Sequence, residues 1–138
     1  MIYEIDEKSN KASKVILDMA FQVHTALGPG LLESVYETCL AHKLLRQGLK
    51  VERQKVLPVQ FEGELIETGF RTDLIVEDCV IVELKACEKI LPLHEAQLHT
   101  YLKLSDITLG LLLNFNETSL KNGIKRIAKS KESKKNFV

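Results

Sequence analysis

The spacing of apolar residues changes period along the chain and divides it into elements. Between Ser9 and Leu27 the apolar positions are Ala12, Val15, Ile16, Met19, Ala20, Val23 and Leu27. This i, i+3, i+4, i+7 recurrence predicts an amphipathic helix, with Ser9 or Asn10 as its N-cap. Gly28-Pro29-Gly30 breaks it, because glycine suits a C-cap and proline cannot continue the hydrogen-bond ladder. A second helix is predicted over 31–47 from Leu31, Leu32, Val35, Tyr36, Cys39, Leu40 and Leu44, closed by Gly48. Two helices joined by so short a turn are expected to pack on each other or cross at a sharp angle. His24 lies beside the first apolar stripe and reads as a surface or helix-end histidine.

From Leu49 onward the period is two. Strands are predicted over 51–61, 64–76 and 79–86, with turns at Glu62-Gly63 and around Glu77-Asp78. Pro58 demotes its strand to an edge or a bulge. After the loop CEKILP, Pro92 opens a helix predicted over 93–104, which carries His94, Gln97 and Tyr101 on one face. ITLGLLLNF, 107–115, reads as a strand covered on both faces. The strand–helix–strand succession predicts a right-handed crossover between parallel strands. GIKRIA, 123–128, is either a short edge strand or a helical turn, and the last ten residues form a basic polar tail. The expected organisation is one domain, 9–128, between a lead-in of residues 1–8 and a flexible tail, 129–138.

Three charged residues interrupt the strands. Asp73 lies in GFRTDLIV, and Glu83 and Lys85 lie in VIVELKA. Burying an unpaired charge costs several kcal/mol, roughly, so charges in core strands have partners or a task. Asp73 and Glu83 supply hard oxygen ligands of the kind Mg²⁺ or Mn²⁺ takes, and the Leu84 carbonyl is a further candidate. Lys85 shares a face with Glu83 and can position or activate an attacking water. The bland alternative is an exposed Glu–Lys pair beside an unrelated aspartate. Strand register separates the two. A two-residue loop at Glu77-Asp78 pairs Asp73 with Val82 and puts the acids on opposite faces. A loop running through Cys79 pairs Asp73 with Glu83.

Charge and cysteines narrow the setting. The chain is neutral overall, but residues 121–138 hold seven bases against one acid, which leaves the first 120 residues at minus six. Such a body does not bind nucleic acid through its whole surface, so any contact is local or uses the tail. No apolar run approaches the roughly 20 residues that span a bilayer, and the polar start, MIYEIDEKSNK, is unlike a signal peptide. A cytoplasmic protein without membrane contact is expected. Cys39, Cys79 and Cys87 read as reduced structural thiols, without zinc-type spacing to the histidines.

GPGLLESVYE, residues 28–37, resembles the signature of the GxxExxY family, with Gly30, Glu33 and Tyr36 at the named positions. GFRTDLIV, VIVELKA, EAQLHTYLK and LGLLLNF follow in that family's order, so the resemblance covers roughly residues 9–128. The family is grouped with the PD-(D/E)XK nucleases. The resemblance implies an α/β (α+β) fold of restriction-endonuclease type: an α-β-β-β-α-β core with a mixed central sheet flanked by helices. It also implies that Asp73 and Glu83 bind metal, that Glu33 assists as the acid from a helix, and that Lys85 and Gln97 complete the catalytic set. Arg71 and Tyr101 are candidates for touching a phosphate or bracing the site. Thr72 stands where the superfamily's name has proline.

The expected function is therefore Mg²⁺- or Mn²⁺-dependent hydrolysis of nucleic acid phosphodiesters, in a monomer or small homodimer. The alternative is a catalytically silent scaffold or binding module, which predicts a hairpin register that splits Asp73 from Glu83. A third reading is nucleic-acid binding without cleavage through the Lys121–Lys135 tail.

Overall fold

The computed structural model describes residues 2–67 and 69–131. Helix α1 spans Glu7–Leu27 and α2 spans Glu33–Arg46. α1 starts two residues before the expected Ser9. Its N-cap is Asp6, whose carboxylate accepts the Ser9 N–H at 2.7 Å, and Glu7 in the first turn suits the helix dipole. Gly28 caps the far end by donating to the His24 carbonyl. His24 is buried there, not on the surface, with Nε2 2.7 Å from the Glu117 carbonyl oxygen.

Two long predicted strands are each broken in two. The first becomes β1, Val51–Val56, and β2, Val59–Phe61; the second becomes β3, Glu64–Ile66, and β4, Arg71–Val76. Pro58 has no N–H to continue a ladder, and Leu57 turns inward to a buried position on the sheet. The β2–β3 hairpin is thereby detached as a separate two-stranded ribbon. Its turn is the expected Glu62-Gly63, with both residues at positive φ (49° and 78°), as tight hairpins require.

Strand β5, Val80–Lys85, helix α3, Pro92–Ser105, and strand β6, Leu109–Asn114, follow. GIKRIA resolves into the end of a 3₁₀ turn, Leu120–Gly123, and an edge strand β7, Ile124–Ala128. The main sheet has the order β1-β4-β5-β6-β7. Only β5 and β6 run parallel, so the sheet is mixed, as the sequence predicts.

Alternation along the strands sorts the core into two layers. Leu74, Val76, Val80, Val82, Leu84, Leu111 and Leu113 face α1 and α2, where Ile16, Ala20, Leu40 and Leu44 meet them. Ile75, Ile81 and Leu112 face α3 and meet Leu98 and Leu102. Each fully buried Leu or Ile stabilises the fold by about 1.5–3 kcal/mol. At Gly110 a Cβ would come 2.9 Å from the Leu98 side chain, so glycine lets α3 sit close on the sheet. The three cysteines are free and half-buried.

β7 is held by its bases. Arg126 donates to Ser13 Oγ at 3.0 Å on α1, and Lys125 lies 3.5 Å from Glu95 on α3. Lys129 is buried against Asp106, and Ile2 forms a β-bridge with Ser130. The start of the expected basic tail is thus part of the fold, and residues 132–138 lie outside the described residues.

Candidate metal and nuclease site

The β4–β5 register decides the face question. Leu74 pairs with Val82, Ile75 with Ile81 and Val76 with Val80, so the next step places Asp73 opposite Glu83. The loop runs through Cys79, whose N–H closes the turn onto the Val76 carbonyl at 3.0 Å. Glu77 and Asp78 hold it open at φ 52° and 57°. Asp73, Glu83 and Lys85 share one face with Ile75 and Ile81, the face that carries α3.

At Asp73 the ladder gives way to side chains. The Asp73 N–H donates to Glu83 Oε2 at 2.6 Å, and the Leu84 N–H donates to Asp73 Oδ2 at 2.9 Å. Each carboxylate therefore satisfies the backbone of the other's strand, which fixes both side chains and parts the strands between them. Phe115 N–H donates to the Lys85 carbonyl at 2.8 Å, and the Asn114 side chain both accepts from and donates to the Cys87 backbone. These bonds extend the β5–β6 pairing past Lys85 and anchor that end of the strand.

The electrostatics report an excess of negative charge. Burial and then the charge of Asp73 push the Glu83 carboxyl up to about 8, against the opposing Asp73 N–H and Lys85. Asp73 is raised too, by burial first and by the charge of Glu37, while the Leu84 N–H, Lys85 and Gln54 pull it down. Tyr101 is buried on α3 and shifted up, by burial and then by Glu83 and Asp73, so it belongs to the same neighbourhood. Phe70 packs edge-on against its ring, with centroids 6.1 Å apart.

Gln97 is half-buried one turn before Tyr101, on the same helix face. Arg71 is exposed at the start of β4, two residues from Asp73 and so on its face. Glu33 is exposed in the first turn of α2. The buried acid of that helix is Glu37, one turn on, and its charge is the one that acts on both Asp73 and Glu83. Sequence reasoning missed it, although a signal existed: Glu37, Ala41 and Leu44 form an i, i+4, i+7 stripe whose other two members are core. Gln54, which bonds to Glu37 at 2.6 Å and Asp73 at 3.3 Å, was also missed, and nothing in VERQKV marks it.

Tyr36 has a different task. It is fully buried, stacked on Phe115 at 4.7 Å, and its hydroxyl donates to the Gly28 carbonyl while accepting the Leu31 N–H. It pins the turn that delivers α2 to the sheet. Thr72 is fully buried, and its hydroxyl has no hydrogen-bond partner among the described residues.

Over residues 10–127 the chain matches the family described as the PD-(D/E)XK nuclease superfamily. It belongs to that superfamily. No curated protein and no solved structure matches it. Members of the superfamily generally use divalent metals, and the donor set here fits one. One oxygen of each carboxylate is taken by a backbone N–H, Asp73 Oδ1 also accepts from Gln54 at 3.3 Å, and the lone pairs left on Asp73 together with Glu83 Oε1 could take a cation, which would relieve the charge that raises both carboxyls. Among the described residues no three His, Cys, Asp or Glu side chains form a ready-made cage. No helix among the described residues is long and apolar enough to cross a membrane.

The superfamily chain thus brings its acids together in the register that a silent scaffold was expected to lack. A groove of about 330 Å³, lined by Lys55, Leu57, Pro58, Ile75, Ser105 and Ile107, runs along the same side of the sheet.

Proposed function

We propose that this chain hydrolyses phosphodiester bonds of nucleic acid, with Mg²⁺ or Mn²⁺ held by Asp73 and Glu83. The observation that carries this reading is the register that sets the two carboxylates opposite each other, with Lys85 two residues on along the same face. When bound, the cation would supply charge neutralisation and a water of lowered pKa. Asp73 and Glu83 hold their positions by accepting the Leu84 and Asp73 N–H groups, respectively. Lys85, on a strand end anchored by Asn114, orients the attacking water or carries positive charge towards the phosphate.

Glu37 supplies the acid from α2, with Glu33 exposed one turn earlier on the same helix. Gln97 supports the water, and Arg71 and Tyr101 flank the phosphate. Within the superfamily the chain fits the GxxExxY group, because Gly30, Glu33 and Tyr36 hold the named positions. The three free thiols suit a reducing, cytoplasmic setting.

The test is a cleavage assay on single- and double-stranded DNA and RNA with Mg²⁺ or Mn²⁺, run beside Asp73→Asn and Lys85→Ala. Cleavage that needs the ion and is lost in both variants supports the reading. Cleavage that survives both substitutions, or no cleavage together with no Mn²⁺ uptake in calorimetry, overturns it.

A further inference from the structure

β1 contains a conformation that its sequence does not ask for. Gln54 sits at φ 52° in the middle of an edge strand, a region that side chains other than Gly, Asn and Asp rarely occupy. The ladder to β4 is intact on both sides, Arg53 to Leu74 and Lys55 to Thr72, and is missing only where Gln54 meets Asp73. Such local distortions concentrate beside functional sites, where they re-aim a side chain.

What the distortion achieves is visible in the bonds to Glu37. Arg53 donates to Oε2 from Nε at 3.1 Å and from Nη2 at 2.9 Å, and Gln54 donates to Oε1 at 2.6 Å. Consecutive residues of a regular strand point to opposite faces, so one carboxylate would not receive bonds from both. The left-handed turn at Gln54 brings its carboxamide round to the acid that Arg53 already holds. The same nitrogen lies 3.3 Å from Asp73 Oδ1. A carboxamide nitrogen has two protons, and here they go to two carboxylates from different elements, one on α2 and one on β4.

We infer that Gln54 is a positioning residue of the cation site: its carboxamide links Glu37 to Asp73 and sets how the two acids stand to each other. The inference rests on the cation reading above. Asp73 is then oriented from both neighbouring strands, by the Leu84 N–H on one side and Gln54 on the other. The competing explanation is that the distortion only blunts an exposed sheet edge, since irregular edges discourage pairing with other chains.

Gln54→Gly separates the two explanations. Glycine accepts positive φ without strain, so the backbone distortion stays and only the carboxamide is lost. The expected result is a Mn²⁺ dissociation constant raised about tenfold in calorimetry, the loss typical of removing an outer-shell partner, with a melting temperature at or above wild type. Mn²⁺ affinity within twofold of wild type would overturn the inference. A second measurement needs neither metal nor a stable Gln54 variant. In ¹⁵N-labelled, metal-free protein the Gln54 side-chain amide cross-peak should move on Asp73→Asn and on Glu37→Gln; a cross-peak indifferent to both overturns the inference. Wild-type protein that takes up no Mn²⁺ fails the cation reading instead, and the cross-peak alone then decides whether Gln54 links the two acids.

Discussion

The two ends of the main sheet each bury a charge, and they treat it in opposite ways. Where β6 begins, Lys129 is 1% exposed, but its ammonium meets Asp106 and lies over the Tyr3 ring. Where β6 ends, Glu83 is 6% exposed and its nearest charged neighbour across the strands is another acid, Asp73. The first arrangement is closed: a cation with its counter-ion, knitting the last strand to the C-terminus of α3. The second is open, with two acids held in place by backbone N–H groups and with too little positive charge beside them. Burial alone does not single out a candidate site. The mark is burial without local neutralisation, on a framework that stops the acids from moving apart.

The sharpest way to break this comparison is to neutralise one acid. Asp73→Asn should lower metal-dependent cleavage by about 10³-fold, within the range expected for losing a group that acts on the reacting centre, while chemical denaturation of the metal-free protein shows no loss of stability. The opposite end should answer in the reverse sense. Asp106→Ala removes the counter-ion of the buried Lys129 ammonium and should cost about 2 kcal/mol in urea denaturation, the scale of a hydrogen bond to a charged group, with Mn²⁺ affinity in calorimetry unchanged.

A smaller effect follows from pH. The Glu83 carboxyl is raised from an ordinary value of 4.5 to about 8, so the folded metal-free protein holds a proton that the unfolded chain gives up. Its contribution is fully present below about pH 4.5 and is lost as pH rises through about 8. Stability of the metal-free protein should therefore decline across that window. Glu83→Gln should flatten the decline and leave the variant more stable than wild type at pH 8, read from denaturation midpoints over pH. Saturating Mn²⁺ should also restore wild-type stability at pH 8, because binding to the folded state alone stabilises it. The smallest change is expected from Lys125→Ala. Its pair with Glu95 is exposed at both ends, and such pairs contribute less than about 1 kcal/mol.

Parts of the site were legible residue by residue. Asp73, Glu83 and Lys85 stand out because a polar group in a run such as VIVELKA has to be accounted for, and the structure puts all three on one face. Tyr101 was named beside the site with the family resemblance, and the charges of Glu83 and Asp73 do act on it. Glu37 was legible in principle, from its place on the Ala41–Leu44 stripe, but Glu33 one turn earlier has the same chemistry and the better-known motif position. Gln54 was not legible. Glutamine carries no marker for positive φ, and its partners lie 17 and 19 residues away.

The sequence by itself determined the helices and the order of the strands, though not the breaks at 57–58 and 67–70, because period, caps and turn residues act over a few positions. The helices at 9–27, 31–47 and 93–104 come from a 3.6-residue repeat. The hairpin at Glu62-Gly63 comes from a turn that tolerates positive φ. The parallel β5–β6 pair comes from a strand–helix–strand succession that has to cross over. Tertiary structure decided whether those elements make a site. One residue more or less in the loop through Cys79 would have turned Asp73 to the other face, and local propensity does not choose between the two. The choice falls to burial on both sides of the sheet, since only this register puts Leu74 and Val76 into the α1–α2 layer and Ile75 into the α3 layer together with their partners on β5. The pairing of Asp73 with Glu83 is thus a consequence of packing the apolar residues around them, and the link from Glu37 through Gln54 to Asp73 exists only once α2, β1 and β4 have come together.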